Sequence, residues 1–289
     1  MLHFVAMPLI ALIVTAVLAG RVLDRLAPAA AARWNAVLVL AVIVGTVPTV
    51  WMLGLSGLAH FGVRSSLSDW SMHLLPDQPV VSTVIGGGAL VMAAVGAVRV
   101  AAVVRTHLSV RCTDTCRFHL VETSDVFAYT LPGPARTIAI SRGLCDSLDD
   151  REYEFVVAHE QSHARHRHDR YLLLALVATA LVPFMRSATD QLRFHVERWA
   201  DEDAVRVTGA TRRFAARTIA RVALAHSPRV VLLGVATHGV AARAQALTES
   251  AAPATLGRRL QTVGLVVATV VLATWQVHHT IEFAFDTMM

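Results

Sequence analysis

The chain contains no lysine. All 26 of its basic residues are arginine; alongside abundant alanine and valine, this reads as genomic composition bias and carries no functional meaning. The absence does exclude a serine activated by lysine in an S-x-x-K motif. Charge of either sign is also scarce: 16% of the 289 residues are charged, against about 25% in an ordinary soluble domain. The deficit comes from long uncharged runs, which excludes a purely soluble globule and marks a membrane protein. No basic stripe is interleaved with aromatics, so the net charge of +5 fits loops beside anionic lipid and predicts no direct nucleic-acid partner. Cysteine is limited to Cys112, Cys116 and Cys145. One C-x₃-C pair without a second is a weak metal signal, and the three read as reduced thiols of a cytosolic segment.

Four apolar runs are present: Phe4–Gly20, Ala36–Leu58, Pro79–Val98, and Leu260–Val277 continuing to Phe285. The first has no arginine ahead of it, while Arg21 and Arg25 follow it. That is the reverse of a secretory leader, so it reads as a retained helix. Arg21–Asn35 reads as a polar connector and His60–Gln78 as a loop with little arginine. Arginine clusters after the first run, after the third and before the fourth. The positive-inside rule then puts the N-terminus outside, the connector inside, and the long segment between the third and fourth spans in the cytoplasm. The expected organisation is a three-helix transmembrane region over 1–105, a cytoplasmic domain over 106–259, and a fourth span with a short outside tail over 260–289. Two shorter runs, Tyr171–Met185 and Val230–Ala242, suit buried or interfacial helices better than spans. His278, His279 and Glu282 read as interfacial polar residues.

Inside the cytoplasmic segment, Phe118–Glu122, Asp125–Thr130 and Arg136–Ile140 read as short strands, with a turn at Pro132-Gly133-Pro134. Asp149 and Glu152 form the pattern of a capping box. The helix it opens carries His159-Glu160-Gln161-Ser162-His163. Two histidines four residues apart share one helix face and can hold one metal ion, while the glutamate between them stands beside a water that the metal activates. The helix is expected to run on through Asp169. His166 then falls too far along the axis to share the metal, and His166 and His168 read as a solvated basic helix end. Charges on both sides of the motif (Arg151, Glu152, Glu154, Arg165, Arg167, Asp169) argue against a site within a span.

A third ligand must come from another element. Glu197 is the best placed, on a helix capped by Thr189 and covering Asp190–Val205, with Asp201 on the same face. Glu197 can bind the metal while Asp201 accepts an N–H from a ligand histidine. Leu192, Val196 and Ala200 form the packed side. The competing reading is a charged solvent face made by Glu197, Arg198, Asp201, Glu202 and Asp203.

His159-Glu160-x-x-His163 running into His168-Asp169, followed by Glu197-x-x-Ala200-Asp201-x-x-Ala204, resembles the integral-membrane zinc metallopeptidases of the BlaR/MecR type. These antirepressor proteases are distant relatives of the HtpX and CAAX-prenyl proteases. The text Val126–Pro134 and Thr137–Leu144 is similar to the segment those proteins place before the zinc helix. The resemblance implies an α-helical membrane protein of four transmembrane helices with an inserted cytoplasmic α+β metalloprotease domain of gluzincin type. It also implies one Zn²⁺ held by His159, His163 and Glu197, with Glu160 as the catalytic base and Asp201 behind the metal ligands. The implied partners are the lipid bilayer and a protein substrate such as a transcriptional repressor. The β-lactam sensors of this type carry a penicillin-binding domain after the last helix. Few residues follow that helix here and no S-x-x-K exists, so direct acylation by β-lactams is not expected. The strand at 136–140 is expected to take an extended substrate by strand addition, while no oxyanion stabiliser is assignable; Arg193 and His195 are nearby in sequence only. The alternatives are a membrane signalling scaffold with a structural metal site and a quality-control protease of HtpX type.

Overall fold

The computed structural model describes residues 2–24, 26–60, 79–112, 116–225, 239–249 and 256–286. Four helices carry the apolar runs: α1 (Leu2–Leu23), α2 (Pro28–His60), α3 (Pro79–Ser109) and α10 (Leu256–Asp286). Three contain stretches long and apolar enough to cross a membrane, Pro28–Leu55, Thr83–Ser109 and Leu260–Glu282, while α1 offers the shorter Met7–Leu23. The expected connector Arg21–Asn35 is mostly helix, because Pro28 opens α2 at a position where proline's fixed φ suits the first turn. The loop expected at 60–78, apart from His60, lies outside the described residues, as does most of the apolar run 230–242. Helices α2 and α3 pack on each other, and α1 and α10 pack on α2.

After α3 the chain forms three short strands, β1 (Phe118–Val121), β2 (Ala128–Thr130) and β3 (Ile138–Ser141). Their order is β1-β3-β2. β1 runs parallel to β3 with Phe118 opposite Ile138, and β2 runs antiparallel with Ala128 opposite Ile140. The expectation that the strand at 136–140 accepts substrate fails here. β3 is the central strand, buried at every position, and both its edges are taken. The turn at Pro132–Pro134 forms with Gly133 at φ 149; the carbonyl of Cys112 lies where a Cβ would sit.

The remaining helices are α4 (Arg142–Ser147), α5 (Asp150–His166), α6 (His168–Leu181), α7 (Arg186–Thr208), α8 (Arg212–Ala225) and α9 (Val240–Thr248). A 3₁₀ turn at Pro183–Met185 joins α6 to α7. That turn feeds α7 directly, so Thr189 is an interior residue of the helix, not its cap; its hydroxyl donates to the Arg186 carbonyl at 2.9 Å. The pair α6–α7 is a helical hairpin. α6 packs on α2 and α3, and α7 packs on α2 and α5. One apolar cluster gathers Leu12 of α1, Val39 and Val42 of α2, Ala175 and Ala178 of α6, Leu192, Val196 and Trp199 of α7, and Ala273 of α10. The apolar run at 171–185 is thus α6 and its turn, part-buried against α2, α3 and the returning α7, with Leu176 and Phe184 left exposed.

Candidate metal centre and active site

Helix α5 begins as the local sequence dictates. The Asp149 carboxylate accepts from the Glu152 N–H at 2.9 Å and the Glu152 carboxylate accepts from the Asp149 N–H at 3.1 Å. Arg221 of α8 adds a 2.6 Å ion pair to Glu152, which anchors the opening turn. About two turns on, His159 and His163 project from one face, their Nε2 atoms 3.0 Å apart. Helix α7 delivers Glu197 opposite them. Its Oε2 lies 3.6 Å from His159 Nε2 and its Oε1 lies 3.6 Å from His163 Nε2. Candidate ligand atoms of the three residues all fall within 4.8 Å of one another.

This triangle fits zinc. Ligand bonds near 2.1 Å in a tetrahedral set put ligand atoms roughly 3.4 Å apart; the two imidazole nitrogens lie 3.0 Å apart, and each lies 3.6 Å from a different oxygen of Glu197, so a small turn of that carboxylate closes the set. Glu197 Oε1 is buried and accepts no hydrogen bond, an acceptor left open toward the two imidazoles. Charge points the same way. Glu160, Glu197 and Asp201 are three buried carboxyl groups, and among the described residues the single buried guanidinium of Arg243 faces them. A divalent cation would supply further positive charge there, displacing the proton that His159 otherwise carries.

Each group has a partner that fixes it. His159 Nδ1 sits 2.9 Å from Asp201 Oδ1. Burial alone would lower the His159 pKa, but the adjacent carboxylates of Asp201 and Glu197 outweigh it and raise it to about 10. Burial lowers the His163 pKa. Burial would raise both Glu197 and Asp201, yet Arg243 and the neighbouring histidines hold each below the ordinary carboxylate range. Arg243 donates through Nε and Nη2 to the two oxygens of Asp201 at 2.8 and 2.7 Å, and its Nη1 lies 2.9 Å from Glu197 Oε2. The Thr130 hydroxyl of β2 lies 2.9 Å from both Oε2 and the backbone carbonyl of Glu160, so it can donate to either.

Sequence reasoning placed His159, Glu160, His163, Glu197 and Asp201, and the structure brings all five together. Leu192, Val196 and Ala200 are fully buried on the packed side of α7. Glu202 instead pairs with Arg212, and Asp203 pairs with Arg206 and His166. The helix carrying the motif does not run on to Asp169. It ends at His166, with Arg167 in the left-handed region at φ 55, ψ 48, and His168 starts a new helix. His168 is therefore not a solvated helix end. It is 0% exposed, with Nδ1 2.9 Å from His163 Nδ1. Thr130, His168 and Arg243 are the three residues that sequence reasoning missed. His195 stays away from the centre, buried 3.4 Å from Asp24.

A helix pair presenting H-E-x-x-H opposite a glutamate, backed by an aspartate, is an arrangement that suits a zinc metallopeptidase. Comparison with known proteins agrees: residues 112–229 match the family model of peptidase family M48. The match holds the sheet, the histidine pair, Glu197 and Asp201. It supports a membrane-type zinc metallopeptidase, consistent with the long apolar helices. No curated protein and no solved structure matches the chain.

Proposed function

We propose that the chain is a membrane-embedded, zinc-dependent endopeptidase that cuts a cytoplasmic or membrane-associated protein. The observation that carries this reading is the convergence of His159, His163 and Glu197 beside Glu160 within the segment matching peptidase family M48. Zinc held by the three ligands would polarise the scissile carbonyl and activate water for attack on it. Glu160 takes the proton of the attacking water and passes it to the leaving amine. Thr130 aims the Glu160 carboxylate, Asp201 fixes the ring of His159 through Nδ1, and Arg243 neutralises the buried carboxylates behind the ligands. Strand β2 lies at the edge of the sheet and carries Thr130, so it replaces β3 as the strand that takes an extended substrate by backbone pairing.

Four spans are the proposed membrane arrangement, with α1 as the shortest. The distribution of arginine supports a cytoplasmic zinc domain. The resemblance to BlaR/MecR-type antirepressor proteases supports a transcriptional repressor as substrate and a role in regulatory signalling. The test is Glu160→Ala. The variant keeps one zinc per chain and loses cleavage of casein and of itself by at least about 10²–10⁴-fold. Full activity in the variant overturns the assignment. Comparison of cellular protein N-termini between wild type and variant then identifies the substrate.

A further inference from the structure

We propose that His168 is the positioning residue of the metal centre: its Nδ1 accepts the Nδ1–H of His163 and so aims His163 Nε2 at the metal. The inference rests on the reading of His163 as a ligand.

The geometry leaves little choice of proton. His163 Nε2 faces His159 Nε2 at 3.0 Å and Glu197 Oε1 at 3.6 Å. To bind a cation there it must present a lone pair, so the proton of the neutral ring sits on Nδ1. The atom within reach of that N–H is His168 Nδ1, at 2.9 Å. His168 must then accept through Nδ1 and carry its own proton on Nε2. That Nε2 is buried with no hydrogen-bond partner, an arrangement that general packing disfavours and that the task of accepting from His163 explains.

The fold holds His168 for this task. The left-handed turn at Arg167, φ 55 and ψ 48, breaks α5 and starts α6; His168 enters the interior at that break. Its ring packs 4.8 Å from Trp199, 5.7 Å from His166 and 6.1 Å from Tyr171. Trp199 in turn lies under the guanidinium of Arg33 on α2, at 4.9 Å. The two ligand histidines are thus fixed by different partners: His159 by Asp201, and His163 by a second imidazole.

Three substitutions in the full-length, detergent-solubilised protein separate this role from packing. Asn presents its oxygen near the position of His Nδ1, Gln near that of Nε2, and Phe keeps the ring without an acceptor. Zinc affinity is measured by chelator competition, and ligand symmetry by the visible spectrum of the Co²⁺-loaded protein. His168→Asn is expected to stay within about threefold of wild type. His168→Gln and His168→Phe are expected to bind zinc about 10–100-fold more weakly and to alter the Co²⁺ spectrum. Should Phe fail to fold, the Asn–Gln contrast carries the test alone. Wild-type affinity in His168→Gln, or equal losses in Asn and Gln, overturns the proposal. A wild-type chain that takes up no zinc refutes the metal centre itself, whereas wild-type uptake with an unaffected Gln variant refutes only the role of His168.

Discussion

Replacing Arg243 by methionine keeps the length of the side chain and removes its charge. In the native site the guanidinium is 5% exposed and faces Glu197 and Asp201, which are 3% and 1% exposed. It spans both carboxylates with contacts of 2.7 to 2.9 Å. Removing one member of a buried charge set leaves the others uncompensated, at a cost of about 3–5 kcal/mol. Zinc brings positive charge to the same carboxylates, so the loss should be largest without metal. We therefore expect Arg243→Met to lose about 3–5 kcal/mol in equilibrium denaturation of the metal-free, detergent-solubilised chain. At saturating zinc it should lose distinctly less. By linkage, the difference between the two losses is a gain in zinc affinity in the variant. Arg243→Lys keeps the charge but not the planar fork that reaches three oxygens at once, and falls between the two. A metal-free variant as stable as wild type would refute the reasoning. So would a loss of the same size with and without zinc, which would make Arg243 a packing residue whose charge is incidental.

Thr130→Val should leave zinc content unchanged and lower kcat/KM about 10–100-fold, because one hydrogen bond to a charged group is worth about 1.5–3 kcal/mol; unchanged kinetics would remove Thr130 from the site. The pH dependence of zinc uptake follows from His159. Its metal-free pKa is raised to about 10, so below that pH the ring carries a proton that zinc must displace. Zinc affinity should therefore rise by about tenfold per pH unit from pH 7 to 9, read by chelator competition, and a flat profile over that range would contradict a protonated His159.

Legibility in the sequence follows the range of the forces involved. Helix α5 announces itself because its signals are local: the Asp149–Glu152 box, the apolar period, and the motif all fall within a few turns. Glu197 and Asp201 were findable because two histidines need a third ligand from another element and one helix offered two carboxylates at the right spacing. Arg243 was not. It lies 42 residues beyond Asp201, one arginine among 26, and nothing local marks it as the buried one. His168 was misread by extending the helical period through Arg167. The left-handed residue that breaks the helix is neither Gly nor Asn, so no turn chemistry flags the break. The order of the strands defeated the expected substrate strand for a related reason. Sequence reveals that β3 is strongly apolar, but its place between β1 and β2 is set by a crossover that pairs strands distant in the chain.

The hairpin α6–α7 explains why a run too short to span the bilayer can still be packed among the long apolar helices without dividing the site. A single crossing at 171–185 would carry Glu197 to the far side of the membrane from His159. Turning at Pro183–Met185 instead lays α7 back along α6. Helix α7 then faces two ways at once. Leu192, Val196 and Trp199 join the apolar cluster built with α1, α2 and α10, while Glu197 and Asp201, one and two residues removed, face the histidines. Neighbouring helical residues diverge by about 100°, so a rigid α7 cannot shift against α2 without moving Glu197 and Asp201 against His159 and His163. The packing of the apolar helix bundle and the geometry of the candidate metal centre are for that reason one structural problem, solved on a single helix.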